Sequence, residues 1–478
     1  MAQVTLINPN RMKPAVAPLA LEYIAESLAS SGHSVTILDL CFSENWQSDV
    51  DRHFSSYHPD VIGMTIRNTD DCYFASRDFF VPFYAEIVAR IKFLTNAPIV
   101  LGGAGLSVAP KAIIDLTNAN YAICGDGEFA FPLLVERIAN KENPFDIPGL
   151  VYRTQNGIHA NSPEWQELAK LPVRTRRWLD NRRYFKEGGQ AGVETKRGCN
   201  QKCIYCADPV GKGRTCRLRP PKHIIAEIKS LVEQGVDCLH LCDSEFNIPI
   251  SHAEAICKEI INTDLKDQIT WYTYASPVPF TDELAELMKS AGCVGIDFGA
   301  DSADDLVLKA LGRNFNSEDL RRTAEICHKH RITFMYDLLL GGPGDSRESI
   351  RRTIAMMKEI SPSRVGVSLG VRIYDGTKIG ELVRSQGLSP KNPNLHGVIE
   401  GNDSFLEPIY YLSADLGTDI EEYVSELIDG DPRFFHASRA QIDSNYNYND
   451  NSVLVQAIRR GARGAYWDIL RRLQENEI

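Results

Sequence analysis

Thr195-Lys196-Arg197-Gly198-Cys199-Asn200-Gln201-Lys202-Cys203-Ile204-Tyr205-Cys206 is the stretch on which the reading of this chain turns. Three thiols fall within eight residues, directly after the strand-like run that begins at Gly192. Soft thiolates at this spacing suit an iron–sulfur cluster or zinc. A structural zinc site wants a fourth ligand and full tetrahedral closure. No second paired-cysteine motif lies downstream, and His223 is the one nearby candidate for a fourth ligand. Three thiolates can instead hold three irons of a cubane and leave the fourth open. The other nine of the twelve cysteines are scattered through apolar runs and read as small buried hydrophobes.

Outward from the triplet, strand-like and helix-like segments alternate. Downstream, GVETK (from Gly192), CLHLCD (from Cys238), ITWYTYA (from Ile269), VGIDFGA (from Val294), TFMYDLLLG (from Thr333) and RVGVSLGVRI (from Arg364) are separated by helical patterns. Six such units predict a partial barrel, (β/α)6, over residues 191–387. Upstream, VTLIN, VTILDL, VIGMTI, PIVLGG and YAIC also alternate with helices, which predicts a doubly wound, Rossmann-like parallel sheet over 1–140. Residues 141–190 read as a linker with a hairpin near Gly149–His159, and 388–478 as a small, mainly helical region. The fold class is therefore α/β.

Ligands of doubly wound sheets sit at the carboxyl ends of the strands. Here those ends carry Asn10, Arg67, Asn68, Gly102, Gly103, Gly105, Gly127 and Glu128. The basic stretch Lys212, Arg214, Arg217, Arg219 reads as a solvated loop. Tyr272, Tyr274, Tyr336 and Tyr374 are candidates for the barrel mouth, with packing the expected role of most. Tyr410, Tyr411, Phe434, Phe435, His436 and the tyrosines near Tyr446 suggest a cap over it. The net charge of −11 argues against a nucleic-acid partner. No apolar run is long enough to span a membrane, and the N-terminus has no signal-like stretch, so cytoplasmic location is expected.

TKRGCNQKCIYC resembles the C-x3-C-x2-C signature of radical S-adenosylmethionine (SAM) enzymes, including an aromatic, Tyr205, before the last cysteine. With the leading doubly wound domain, and with IRNTDDC, VLGGAGLS, CGDGE, DSEFN, GIDFGADS, LGGPGDS and VRIYDGT in order, the chain resembles the cobalamin-binding branch of that family. The resemblance implies a 4Fe–4S cluster on Cys199, Cys203 and Cys206, with SAM chelated at the open iron and cleaved reductively. It implies SAM contacts from Tyr205, Asp243 or Glu245, Asp297, Asp301, Gly341, Gly342 and Arg372. Cobalamin is expected between the domains, held by the strand-end residues named above, although the cobalt-ligating Asp-x-His-x-x-Gly motif is missing. A cofactor-free relic domain is the alternative. The implied activity is methyl transfer to a small-molecule substrate, fed by an external low-potential electron donor. Cobalamin-independent transfer of a 3-amino-3-carboxypropyl group, or a rearrangement, is the second reading. A metal-binding interaction protein without catalysis is the third.

Overall fold

A computed structural model describes residues 1–436 and 450–478. In its first sheet, β1 (Gln3–Asn8), β2 (Ser34–Asp39), β3 (Val61–Thr65), β4 (Ile99–Gly102) and β5 (Tyr121–Ile123) run parallel in the order β2-β1-β3-β4-β5. The runs of β1, β3 and β4 are buried because helices α1 (Leu19–Ser30), α2 (Trp46–Ser56), α3 (Val81–Leu94), α4 (Ala104–Ser107), α5 (Pro110–Thr117) and α6 (Gly127–Ala139) cover the sheet, while β2 at its edge is half-buried. The expected hairpin forms as β6 (Leu150–Thr154) and β7 (Gly157–Ala160). It does not sit in a linker: β6 pairs antiparallel with β5 and extends the first sheet past residue 140.

After α7 (Asn181–Gly188) the second sheet begins at β8 (Ala191–Val193). A short ribbon, β9 (Lys196–Arg197) with β10 (Arg217–Leu218), brackets the cysteine loop. The sheet continues through β11 (Cys238–Leu241), β12 (Thr270–Ala275), β13 (Cys293–Asp301), β14 (Thr333–Leu340) and β15 (Arg364–Leu369), all parallel in chain order. Trp271, Phe298 and Tyr336 fill its core. Two expectations are corrected. The last predicted strand breaks at Gly370, whose positive φ turns β16 (Val371–Arg372) out of the barrel. There β16 joins a small antiparallel sheet with β17 (Leu395–Gly397) and β18 (Ile409–Tyr411). A seventh parallel strand, β19 (Phe434–His436), closes the edge beside β15, so Phe434 and Phe435 are core residues of a strand and not part of a lid. Tyr446 and its neighbours lie outside the described residues.

The two domains are joined by buried charge. Arg176 is fully buried against Glu22 of α1 and Glu227 of the helix Pro221–Glu233. Arg197 binds Asp126 and Glu128 of the first domain at 2.8 and 2.7 Å, and Glu194 beside it at 2.9 Å. Arg217 pairs with Asp126, and Arg219 with Glu227 at 2.7 Å. Of the stretch expected to be a solvated loop, Arg217 thus ties the barrel to Asp126 of the first domain, 91 positions away, while Arg219 closes on Glu227 of the helix that follows it.

Candidate functional site

The cysteine loop is held from three sides. Gly198 has φ +90°, and a β-carbon there would run into the Thr215 carbonyl, so only glycine lets the loop turn. Cys199 N–H donates to Gly213 O at 3.1 Å, and Ile204 N–H to Leu311 O at 3.0 Å. Asp243, at the end of β11, accepts from Thr195 N–H at 2.8 Å, from Lys196 N–H at 3.2 Å and from the Thr195 hydroxyl. Its carboxylate is used up in bracing the strand that delivers the cysteines. The alternative named for the same role, Glu245, has no hydrogen bond to its carboxylate among the described residues. Burial pushes Glu245 up to about 7, against the opposing pull of Arg313 and Lys196.

Burial also raises the thiols, Cys199 to about 11, with Cys203 and Cys206 shifted the same way. Metal must displace those protons, so assembly of a metal centre is favoured as pH rises. Arg313, unmarked by any sequence pattern beyond the Gly312 turn before it, donates to Cys203 Sγ at 2.9 Å and to the Gly299 carbonyl. It also lies 3.4 Å from Asp301. Asp301 accepts from the Tyr205 hydroxyl at 2.6 Å. Tyr205 and Asp301 are thus brought together beside the triplet, but bound to each other and to Arg313. Asp301 sits at φ +62°, past a register shift in β13, so it does not share the simple alternation expected with Asp297 and Gly299. Among the described residues, no three His, Cys, Asp or Glu side chains are gathered round one point as a mononuclear ion requires.

Three further expectations change. Arg372 is buried and fully engaged: it binds Asp70 of the first domain at 2.9 and 3.1 Å and the carbonyls of Ile373, Phe405 and Leu406. It is an interdomain tie, with no donor left for a SAM carboxylate. Gly341 N–H donates to Asp345 at 2.7 Å, and a β-carbon at Gly342 would lie 2.9 Å from Leu311, so this pair shapes a tight βα turn. Gly105 lets α4 approach the β3 loop: a β-carbon there would come within 2.9 Å of Arg67 O and Asn68 N.

A cavity of about 740 Å³ lies between the domains. One wall is the carboxyl edge of the first sheet, with Arg67, Asn68, Gly102, Gly103, Gly127 and Glu128; the other carries His240, Cys242, Tyr274 and Asp297 of the barrel, closed by Tyr466 and Trp467. Of the four barrel tyrosines considered, Tyr274 alone lines this space. Tyr272 donates to Asp468, Tyr336 to Leu320 O, and Tyr374 contacts Cys72. The residues fit a large cofactor. A β-carbon at Gly102 would meet nothing within 4 Å, and Asn10 Nδ2, at the same sheet edge, is buried with no acceptor. Glu128, by contrast, is held by Arg197, and its role is interdomain contact.

Comparison with known proteins joins these features. Residues 193–357 match the radical SAM superfamily model, and residues 11–135 the B12 binding domain model. The chain is 29% identical to tryptophan 2-C-methyltransferase of Streptomyces laurentii, over 97% of this chain and 95% of that protein. The structure of the radical SAM methyltransferase TsrM from Kitasatospora setae, bound to tryptophan and a SAM analogue, superposes with a TM-score of 0.92 at 27% identity, covering 99% of this chain and 98% of that one. TsrM carrying cobalamin and a 4Fe–4S cluster gives 0.90 at 26% identity, with the same coverage. The chain is thus a radical SAM enzyme with a B12-binding domain. It belongs to the cobalamin-dependent methyltransferase branch of that superfamily and acts on a small molecule. Its cofactors are those of the two matched families: SAM with an iron–sulfur cluster, and cobalamin. Among the described residues no helix is long and apolar enough to cross a membrane.

Proposed function

We propose that this enzyme moves a methyl group from SAM, by way of cobalamin, to a carbon of tryptophan or a tryptophan-like aromatic amino acid. The observation that carries the reading is the single cavity with one wall from each domain, in a chain similar to a tryptophan methyltransferase along almost its whole length. Aromatic faces at Tyr274, Tyr466 and Trp467 offer an indole-sized group stacking partners. When bound, cobalamin supplies a methyl carrier and the cluster supplies an electron and a chelation site.

The residues divide the work as follows. Cys199, Cys203 and Cys206 give their thiolates to three irons. Arg313 holds Cys203 in place and offsets its charge. Glu245, the unpaired carboxylate beside the triplet, receives the SAM ammonium, while Asp243 keeps the strand end in position. Arg67, Asn68, Gly102, Gly103, Gly127 and Asn10 bear on cobalamin at the edge of the first sheet. An external low-potential donor supplies the electron, and the enzyme works in the cytoplasm.

The test is anaerobic reconstitution followed by incubation with methyl-deuterated SAM and tryptophan. The expected result is tryptophan heavier by one deuterated methyl group, dependent on both metal cofactors. Turnover of another aromatic metabolite with tryptophan untouched would move the substrate assignment, and transfer without cobalamin would contradict the reading. 5′-Deoxyadenosine formed with product assigns reductive SAM cleavage; S-adenosylhomocysteine alone assigns polar transfer to an electron-rich carbon. Cys203→Ala should abolish cluster-dependent turnover, and full activity in that variant would contradict the cluster assignment.

A further inference from the structure

The chain is acidic overall, with a net charge of −11, yet the outer side of the cysteine loop is rimmed by cations. Lys202 stands in the loop itself, between Cys199 and Cys203. Lys309 is in the last turn of the helix Asp305–Ala310, and the turn after that helix supports the loop. Ile204 N–H donates to Leu311 O at 3.0 Å, and a β-carbon at Gly312 would run into the Lys202 carbonyl. Lys378 opens the helix Lys378–Gln386, and the next residue, Ile379, donates its N–H to Ile204 O at 3.0 Å. Arg214 follows Gly213, whose carbonyl accepts from Cys199 N–H at 3.1 Å. All four residues are exposed, and among the described residues none has an ion-pair or hydrogen-bond partner for its charged group. Most acids of the same segments are already engaged. Asp208 binds Lys212 at 3.0 Å, Asp375 binds Arg384 at 2.7 Å, and Asp305 accepts from Ser317 N–H at 2.8 Å. Glu381, one turn beyond Lys378, is the exception.

A scattered surface lysine signifies little. Four unpaired cations on the segments that hold one loop of an acidic protein make a local positive field. That loop is also where an electron has to enter. Electron transfer between proteins weakens steeply with distance, so a donor must seat close to the cysteines. Toward the barrel the loop is backed by Tyr205, Asp301 and Arg313, which leaves its exposed outer side as the approach for a macromolecule. We infer that the rim formed by Lys202, Lys309, Lys378 and Arg214 is the docking surface for a small acidic electron-carrier protein. One electron leaves the carrier's reduced cofactor and enters the oxidised cluster; no bond forms or breaks. Rim charges steer and orient such an encounter more than they tighten it, so the rate of reduction is the quantity to read. The net negative charge of the rest of the chain disfavours a long polyanion such as RNA and suits a compact carrier with one acidic face.

The inference rests on the cluster being held by the cysteine triplet, so cluster content is counted first by Mössbauer spectroscopy. Reduction of the reconstituted holoenzyme is then followed anaerobically by freeze-quench EPR of the reduced cluster. Two donors are compared: reduced flavodoxin, an acidic flavoprotein, and reduced methyl viologen, a small cation. The rate with flavodoxin should fall about tenfold or more as salt rises from roughly 0.05 to 0.5 M, as steered association does. Lys202→Glu/Lys309→Glu should slow flavodoxin about tenfold or more at low salt, while methyl viologen reduces the variant at least about half as fast as the wild type. Lys141→Glu/Lys229→Glu, exposed lysines of other elements, should leave both rates within about twofold. A salt-independent wild-type rate, equal slowing by both lysine pairs, or equal slowing with both donors would each overturn the inference. Tight binding of a transfer RNA that is lost in Lys202→Glu/Lys309→Glu, with flavodoxin unaffected, would overturn it in favour of RNA. The wild-type salt series decides even if the loop variant assembles no cluster. A wild type without a 4Fe–4S cluster would remove the reading beneath the inference. A cluster reduced by methyl viologen but indifferent to the rim would remove the inference alone.

Discussion

Charged residues at the seam between the domains and charged residues at the barrel mouth are treated in opposite ways. At the seam, Arg176, Arg197, Arg217 and Arg372 each close on a carboxylate of the first domain. At the mouth, a few strands away, Glu245 and Asp297 have no cation bonded to them among the described residues, and both are held toward the protonated form. Burial is comparable in the two regions, so desolvation does not explain the contrast. Pairing does. Charges that position the domains are satisfied within the protein, and those left open face the space where ligands bind.

The contrast can be broken first at the seam. Arg176→Met leaves Glu22 without its cation in the interior and takes one of its partners from Glu227, which keeps Arg219, and removing one member of a buried network typically costs about 3–5 kcal/mol. Calorimetry should show that loss as an early transition; a variant as stable as the wild type would mean the seam is not held by charge. Arg372→Met leaves a single carboxylate, Asp70, without its partner, so a smaller loss of about 3 kcal/mol is expected by the same measurement. At the mouth the sign differs. The Glu245 carboxyl is raised from 4.5 to about 7, so the folded apoprotein binds more protons than the unfolded chain across that interval. Stability should therefore fall as pH rises from about 4.5 to about 7, by roughly 1–3 kcal/mol, and Glu245→Gln should flatten the slope. Urea midpoints across that range check it. The smallest effect belongs to Asp297→Asn, which removes one of two adjacent acids and should change stability by no more than about 1 kcal/mol. A loss as large as that of Arg176→Met would show that Asp297 has a structural partner after all.

The sequence discloses some of this and conceals the rest for physical reasons. The cysteine triplet is legible because its three thiols need only a short loop, and the parallel strands because buried runs of Val and Ile carry their own signal. Arg372 misleads because its partner, Asp70, lies 302 positions away, and local pattern cannot show that the guanidinium is already engaged. Arg217 looks solvated for the same reason, its partner Asp126 lying 91 positions earlier, whereas Arg219 closes on Glu227 of the very next helix. Asp243 and Glu245 are two residues apart and chemically alike. Only the strand end at Thr195 decides that one is a brace and the other is open. Arg313 carries no pattern at all; it is found by where the Gly312 turn delivers it. The seventh strand escapes because Phe434–His436 is three residues long and pairs with a strand far earlier in the chain.

The central claim is that one chain carries an open-cornered cubane on three cysteines and a cobalamin at the edge of the neighbouring sheet. Its most direct test is quantification of both cofactors on the same anaerobically reconstituted, desalted sample, by Mössbauer spectroscopy for iron and visible absorbance for corrinoid. The expected result is one 4Fe–4S cluster and one cobalamin per chain, with the cluster signal lost in Cys203→Ala. Mononuclear iron, or a protein that retains no corrinoid, would contradict it.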